Sequence, residues 1–595
     1  MDGRALNIQS FESMMKTFDG RHHRPSEAMQ EGLRSLQDTL TKMVLGKAES
    51  SYYLSSLDPG VGKSTAIIKW IDTYLQCREI YGKHGIIICF DRLDEINRFV
   101  DECKIPYDTF AVKVSNSDQL GRDLNNMGLG TESVNDALVL FTTKQQIMLK
   151  CKGKGFKGTA AFHYQGGPRR VRIWDESLIV GRELTLDRFE LLGLTQEVSK
   201  TNPSIALKIE DIASQLKGCN NGEVFHMPDM GMTLNDIMCS LPWASKEKRD
   251  VAEILGMFLG RAITVRTDHR GHVAVDCGEA IPEDFAPCLV TDASGRVRET
   301  YNLQHHYRGD LIRLRPDAAK EYSNLTISVW RKGSGKSAYE KNGHKVYAEE
   351  IVKVIDSRPN EEFLVVRHLE HDDLETDIKK QVSVPDRVKF IHWGRHTATN
   401  DFSHIPNIII SSPLNYRLAD YEATGRASAT LKTTDGALTN EQLNQMRLGE
   451  NAHHLLQAVC RGLVRRSEGA GCPPAKVWLI ASPSTKIESN LPTVFPHCKM
   501  ELWNTSPDAL KGVRLRAFEL IKNKFVDSNV HCKVLVPAHK VRKLLGLPQS
   551  NFKRDILKNN NFNDILGLHN IFIERISNRY YFVSDNFDYG AQVSL

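Results

Sequence analysis

Short apolar runs recur along the chain, each closed by glycine or polar residues: "SYYLSSL", "GIIICF", "ALVLF" and "VRIW" in the first part, then "LTISVW", "NIIISSP" and "KVWLIAS". Runs of this kind, apolar on successive residues, predict strands buried on both faces, as parallel sheets require. Between them the period changes: "STAIIKWIDTYL" places Ile67, Ile68, Ile71 and Leu75 on one face of a helix. Strands alternating with helices predict an α/β fold. Between motif-bearing strands, "MTLNDIMCSLPWASKEKRDVAEILGMFLGRAI" reads as helical with "SKEKRD" a charged link, so a helical insertion is expected over 185–285. An arch or pin over a ligand path and a plain scaffolding subdomain are equally open for it. The last part changes character again. Ser506 and Pro507 form an N-cap and first-turn pair for a helix to about Phe525. Helices around "HKVRKLLG" and "SNFKRDILK" follow, joined by "GLPQ", and "IFIERISNRYYFV" reads as two strands around Ser577 and Asn578.

One glycine loop carries chemistry. "SLDPGVGKST", Ser56 to Thr65, nearly fits GxxxxGK[ST], with Leu57 where the first glycine belongs. Such a loop aims backbone N–H groups and a helix N-terminus at phosphate, while its lysine reaches the β and γ phosphates and its hydroxyl ligates magnesium. Gly60, Gly62, Lys63, Ser64 and Thr65 are therefore the candidate ATP contacts, and a strand before and a helix after are in place. Leu57 lies where the strand enters the loop, so it is expected to alter the entry more than the grip. Leu57→Gly is then expected to tighten ATP binding or leave it unchanged. Further along, "VRIWDES" ends a buried strand in Asp175 and Glu176. A carboxylate pair there can hold magnesium through water and orient the attacking water. A second string, "GSGKS" at Gly333 to Ser337, also follows a strand, but no later strand ends in an acidic pair. It reads as a surface loop, or as the corresponding loop of a second nucleotide-like domain without its own ATP.

The order of these motifs resembles the superfamily 2 (DEAD/DEAH-like) helicases. "HRPSEAMQEGL" looks like the helix before motif I, "PGVGKST" like motif I, "VLFTTKQQ" like motif Ib and "WDES" like motif II. "LVTDASG" is similar to motif III, "FIHWGRHTATNDF" to motif V and "HHLLQAVCRGLVRRS" to motif VI. The resemblance implies two RecA-like P-loop NTPase domains with ATP and Mg²⁺ in the cleft between them and nucleic acid across their top. Ser64 and Asp175 would hold the magnesium and Glu176 would activate water. Thr142, Thr143, Lys144, Thr399 and Asn400 would contact the strand. Gln457, Arg461 and Arg465 recur at i, i+4 and i+8, one polar stripe on a helix, and would sense the γ-phosphate. The motif departs from QxxxRxxR, since Val464 stands at the second arginine position. An exposed basic helix is the plain reading of the same stripe. The C-terminal order resembles a winged helix-turn-helix with Lys553 and Arg554 on the recognition helix, a nucleic-acid contact or a protein-docking module. The expected domains are 1–184 with 286–318, the insertion 185–285, 319–504, and 505–595.

Composition sets the outer bounds. A chain of 595 residues exceeds one core. The 12 cysteines contain no CxxC pair, which fits buried reduced thiols in a cytoplasmic protein. No apolar run is long enough for a membrane span and no leader pattern is visible. Net charge is +5, but the positive charge gathers at Lys150 to Arg172 and at Lys533 to Lys558. Both clusters suit phosphate backbones or a solvated basic face. The function expected is an ATP-dependent helicase or translocase, on DNA rather than RNA. The alternative is an ATP-gated nucleic-acid switch, or a motor subunit working with protein partners in a defence or replication complex.

Overall fold

The computed structural model describes residues 3–584 except 232, 269, 395–400, 504–509, 527–533 and 577–578. Two compact units are formed. The first comprises Met1–Lys320, Asn415–His453 and Ser467–Ala470; the second comprises Glu321–Leu414, His454–Arg466 and Gly471–Leu595.

The first unit is built on seven parallel strands in the order Leu311–Leu314, Tyr52–Ser55, Cys288–Thr291, Val171–Asp175, Ile86–Phe90, Val139–Thr143, Phe110–Lys113. The apolar runs of the sequence are these strands, buried on both faces, with Ile86, Ile87, Val139, Leu140, Val171 and Ile173 fully enclosed. The glycine-loop strand pairs with Cys288–Thr291, which pairs with the acidic-pair strand, Thr291 standing opposite Asp175. Loop, "TDASG" and acidic pair thus leave the sheet at the carboxyl ends of three adjacent strands, where open α/β sheets bind their ligands.

The second unit repeats the plan. Six parallel strands run in the order Val388–His392, Phe363–Arg367, Asn407–Ile410, Ala475–Ile480, Leu325–Trp330, Lys499–Leu502. The fold class is therefore the expected one, two parallel-sheet RecA-like domains.

The insertion differs from the helical subdomain expected. It holds helices Arg188–Val198, Pro203–Gly218, Leu234–Cys239 and Lys246–Phe258, but also a four-stranded antiparallel sheet ordered Gly181–Asp187, Gly271–Glu279, Ala262–Asp268, Val224–His226. Its first and last strands in chain order pair across the whole insertion, Gly181 opposite Glu279. Pairing at such sequence separation leaves no local signal, which is why the helical stretch dominated the sequence reading. The sheet's Val273 and Val275 pack on Ala419 and Ala423 of the helix Leu418–Ala429. Glu422 of that helix accepts from Arg266 and Arg426, all three buried. These contacts draw 415–453 into the first unit, although the strand pattern alone assigns it to the second domain.

The C-terminal part has its own core around Phe518, Ile521, Phe552, Phe562 and Phe582. Helix Val513–Val526 is followed by strand Val534–Pro537, helix Ala538–Leu544, a continuous helical stretch made of the α-helical Gln549–Phe552 and the π-helical Lys553–Leu557, helix Asn560–Leu568 and the strands Phe572–Ile576 and Arg579–Ser584. The three strands are ordered Val534–Pro537, Arg579–Ser584, Phe572–Ile576, all antiparallel. The expected cap at Ser506 and Pro507 and the turn at Ser577 and Asn578 lie outside the described residues.

Candidate nucleotide site

The loop Ser56–Gly62 is shaped by its glycines. Gly60 and Gly62 have φ of +83° and +113°, and a Cβ on Gly62 would collide with the Phe18 ring. The helix Lys63–Tyr81 begins at the loop's lysine. Lys63 Nζ donates to the Leu57 carbonyl and, at 3.4 Å, to that of Asp58. Burial pushes its ammonium below the usual lysine range, against the pull of Asp58, Glu176 and Asp175. Ser64 is exposed, and Thr65 Oγ1 accepts from Arg21 at 3.4 Å. His23 Nε2 bonds the Val61 carbonyl at 2.9 Å, so the segment before the loop closes on it.

Leu57, the departure from the motif, is a core residue at 2 % exposure. It packs against the helix Glu27–Val44, where Gly32 leaves room for it: a Cβ on Gly32 would lie 2.9 Å from Leu57 Cδ2. Of the two outcomes expected for Leu57→Gly, tighter or unchanged ATP binding, this packing favours the second and adds a cost in stability. Leu57→Gly empties a filled site and frees the loop backbone, which costs about 4 kcal/mol. A lowered melting temperature without a gain in ATP affinity is the expected result of a thermal-shift titration.

Asp58 is fully buried inside the loop, a charge that phosphate would not welcome unpaired. Arg296 donates to its Oδ1 at 2.8 Å and the Lys320 N–H to its Oδ2 at 2.7 Å. Arg296 lies one residue beyond "TDASG", so this motif neutralises the loop as well as bordering it. Among the residues the sequence reading missed, Asp58 carried a signal: a carboxylate in a phosphate loop calls for a cation.

At the next strand end, Thr291 Oγ1 donates to Asp175 Oδ1 at 2.7 Å. Burial raises the Asp175 carboxyl above the usual range, opposed by Thr291, Lys144 and Lys63. Glu176 adopts φ +63°, a left-handed conformation uncommon outside glycine. Asp292 accepts from Ser294 Oγ at 2.5 Å and from Tyr301 at 2.8 Å, and Ser294 Oγ bonds His453 Nδ1 at 2.6 Å.

Glu95, on the helix Leu93–Cys103, joins these carboxylates. Burial, with Glu176, Asp175 and Asp91 nearby, pushes its pKa up to about 8. Between the ordinary 4.5 and that value the folded chain holds a proton that the unfolded chain has released. Stability therefore falls as pH rises through this window. Melting temperatures of the nucleotide- and magnesium-free chain are expected to drop from pH 5 to 8, and Glu95→Gln to flatten that drop.

Other sequence candidates are placed as follows. Thr142 is buried and donates to the Lys113 carbonyl at 2.6 Å, and Thr143 caps the helix Lys144–Lys150. Lys144 is buried, its ammonium on Asp91 and the Ser177 carbonyl. Thr399 and Asn400 lie outside the described residues. Gln457 and Arg461 are buried and bonded to each other at 2.9 Å. The helix Asn440–Val459 stops before Arg461, because the chain turns at Gly462 for Leu463 N–H to reach the Ile405 carbonyl. A Cβ on Gly462 would sit 2.8 Å from that oxygen. The expected three-residue stripe is therefore a pair, and Arg465 stands on the following turn Leu463–Arg465. Lys553 and Arg554 are exposed, Arg554 pairing with Asp555 at 2.7 Å.

The basic cluster at Lys150 to Arg172 contains two fully engaged arginines. Arg169 is fully buried and spends its guanidinium on five carbonyls, and Arg172 donates to four, among them Phe285 and Ala286. These two are internal struts and leave no charge for a phosphate backbone. At the second glycine loop, exposed Lys336 pairs with Glu370 at 2.6 Å, and the next two strands of the sheet, Ala475–Ile480 and Asn407–Ile410, are followed by Ala481 and Ser411, with no acidic pair among the described residues there. Among the described residues no cluster of His, Cys, Asp or Glu could hold a metal by itself, and no helix is long and apolar enough to cross a membrane.

No protein-family model and no curated protein matches this chain. Solved structures do. Among them are an XPD helicase, a DEAD box protein and a DUF1998 helicase. An XPD structure is 12% identical, covering 78% of this chain and 99% of its own, at a TM-score of 0.46. S. cerevisiae Dbp5 bound to RNA and ADP BeF3 is 10% identical over 81% of this chain and 94% of its own, at 0.30. The DUF1998 helicase MrfA bound to DNA is 8% identical over 95% of this chain and 60% of its own, at 0.30. Likeness at this level carries no argument about activity; the fold stands on its own strand order.

Proposed function

We propose that the chain is an ATP-dependent nucleic-acid motor, a helicase or translocase acting on DNA in preference to RNA. The observation that carries this reading is the meeting of a glycine loop, a hydroxyl-bonded Asp175 and Glu176 at the ends of neighbouring strands of one sheet. Lys63 binds the β and γ phosphates. Ser64 and Asp175 fit magnesium, an exposed hydroxyl and a carboxylate being the oxygen donors that ion takes. When bound, the ion neutralises charge on the transferred phosphoryl group. Glu176 orients and deprotonates the attacking water. Arg461, steadied by Gln457, is assigned to the γ-phosphate, with Arg465 as the second cation.

Thr142, Thr143, Thr399 and Asn400 are the proposed strand contacts, through backbone where the hydroxyls are engaged. The C-terminal part is proposed as a winged helix, because its third strand lies central in a three-stranded sheet preceded by helices, and exposed Lys553 and Arg554 suit a phosphate backbone.

Titrating single-stranded DNA, duplex DNA and RNA into an ATPase assay tests the proposal. A motor is stimulated strongly by its strand; turnover indifferent to all three would overturn it. Strand displacement then separates a motor from an ATP-gated switch.

A further inference from the structure

Four side chains grip the peptide that follows Glu176. The Ser177 carbonyl accepts from Lys144 Nζ and from Trp174 Nε1, each at 3.0 Å. The Ser177 hydroxyl accepts from Arg298, which is itself held by both oxygens of Glu450 at 2.7 and 2.9 Å. Leu178 N–H donates to Tyr301 Oη at 3.0 Å. A non-glycine residue keeps a left-handed conformation only when its surroundings hold it, and Glu176 is such a residue.

Lys144 is the cation whose placement is otherwise unexplained. It starts a helix directly after Thr142 and Thr143, a position that invites a phosphate contact, yet it is 5 % exposed. Its ammonium lies 2.7 Å from Asp91 Oδ2 and 5.3 Å from the centre of the Trp174 ring. Asp91 closes the strand Ile86–Phe90 on the other side, so the lysine ties three strand ends together. A buried ammonium already engaged by a carboxylate, a carbonyl and an aromatic face has no donor directed at solvent phosphate.

We propose that Lys144 is a positioning residue for ATP hydrolysis: pinned between Asp91 and the Ser177 carbonyl, it holds the peptide after Glu176 and so aims the Glu176 carboxylate at the attacking water. The inference rests on the reading of Glu176 as the group that activates water. Displacing that carboxylate slows chemistry without weakening the grip on nucleotide or strand.

The test compares Lys144→Met, Asp91→Asn and the double variant in the full chain. Turnover is measured alongside affinity for a fluorescent ATP analogue and for a labelled single-stranded DNA. Lys144→Met is expected to lower kcat about 30- to 100-fold, with both affinities within about twofold. Asp91→Asn is expected to lower kcat about 3- to 10-fold, and the double variant to fall no further than Lys144→Met, the non-additivity of groups acting as one. Strand affinity falling about tenfold with turnover kept would make Lys144 a nucleic-acid contact and overturn the proposal. So would unchanged turnover or additive losses. Should Lys144→Met fail to fold, Asp91→Asn decides alone, because the Asp91 side chain is 51 % exposed; unchanged turnover then overturns the proposal. A wild-type chain that hydrolyses no ATP overturns the functional reading and this inference together, whereas an active wild type with unaffected variants overturns only the inference.

Discussion

Lys63→Ala is expected to abolish ATP hydrolysis, and Glu176→Gln to lower turnover by about 10²- to 10⁴-fold while nucleotide still binds. The two losses differ in kind. Lys63 is the cation inside the loop, within reach of the carbonyls of Leu57 and Asp58, and the other buried charge there, Asp58, is already matched by Arg296. Removing Lys63 leaves the phosphates no side-chain cation from the loop itself, so binding and turnover fall together. Glu176→Gln keeps size and hydrogen bonding but cannot take a proton, so kcat falls and nucleotide affinity stays within a few-fold. Steady-state kinetics with a direct binding measurement separate the two. An active Lys63→Ala chain would move the phosphate site to Gly333–Ser337.

Arg169→Met is expected to loosen the first sheet by about 3–5 kcal/mol, although Arg169 touches no site residue. Its Nε donates to Phe162, one terminal nitrogen to Ile86 and Leu138, and the other to Val134 and His163, at 2.8 to 3.2 Å. Methionine fills much of the volume but leaves these carbonyls without their donors. Burial pushes the guanidinium down to about 9, still charged at neutral pH. Arg169→Lys, with three donors in place of five, is expected to recover only part of the loss. Amide exchange along Ile86–Phe90 and Val139–Thr143 is the direct readout: faster exchange confined to these strands supports the strut, and unchanged protection removes it.

The same residue shows where the sequence misleads. "PRRVR" reads as a basic patch because charge is visible in a string and burial is not. Arg169 and Arg172 precede and enter a strand, and the sheet's folding encloses them against carbonyls supplied by residues up to 114 positions away. Lys144 misleads likewise: its place after two threonines suggests strand contact, while Asp91 and Ser177 are brought to it only by the pairing of Ile86–Phe90 with strands on both sides.

What the sequence determined by itself was local. Runs of buried apolar residues set the strands, glycines beside Lys63 set the loop, and a strand ending in Asp175 and Glu176 set the acidic pair, since each needs only neighbours in the chain. Tertiary structure decided the rest. It made Leu57 a core residue by placing Gly32 opposite it, and it added a sheet to the helices of the insertion by pairing Gly181 with Glu279. It also took 415–453 into the first unit through Ala419, Ala423 and Glu422. These outcomes depend on which distant surfaces bury each other and which buried charges find partners, and neither is encoded within any one stretch of the chain.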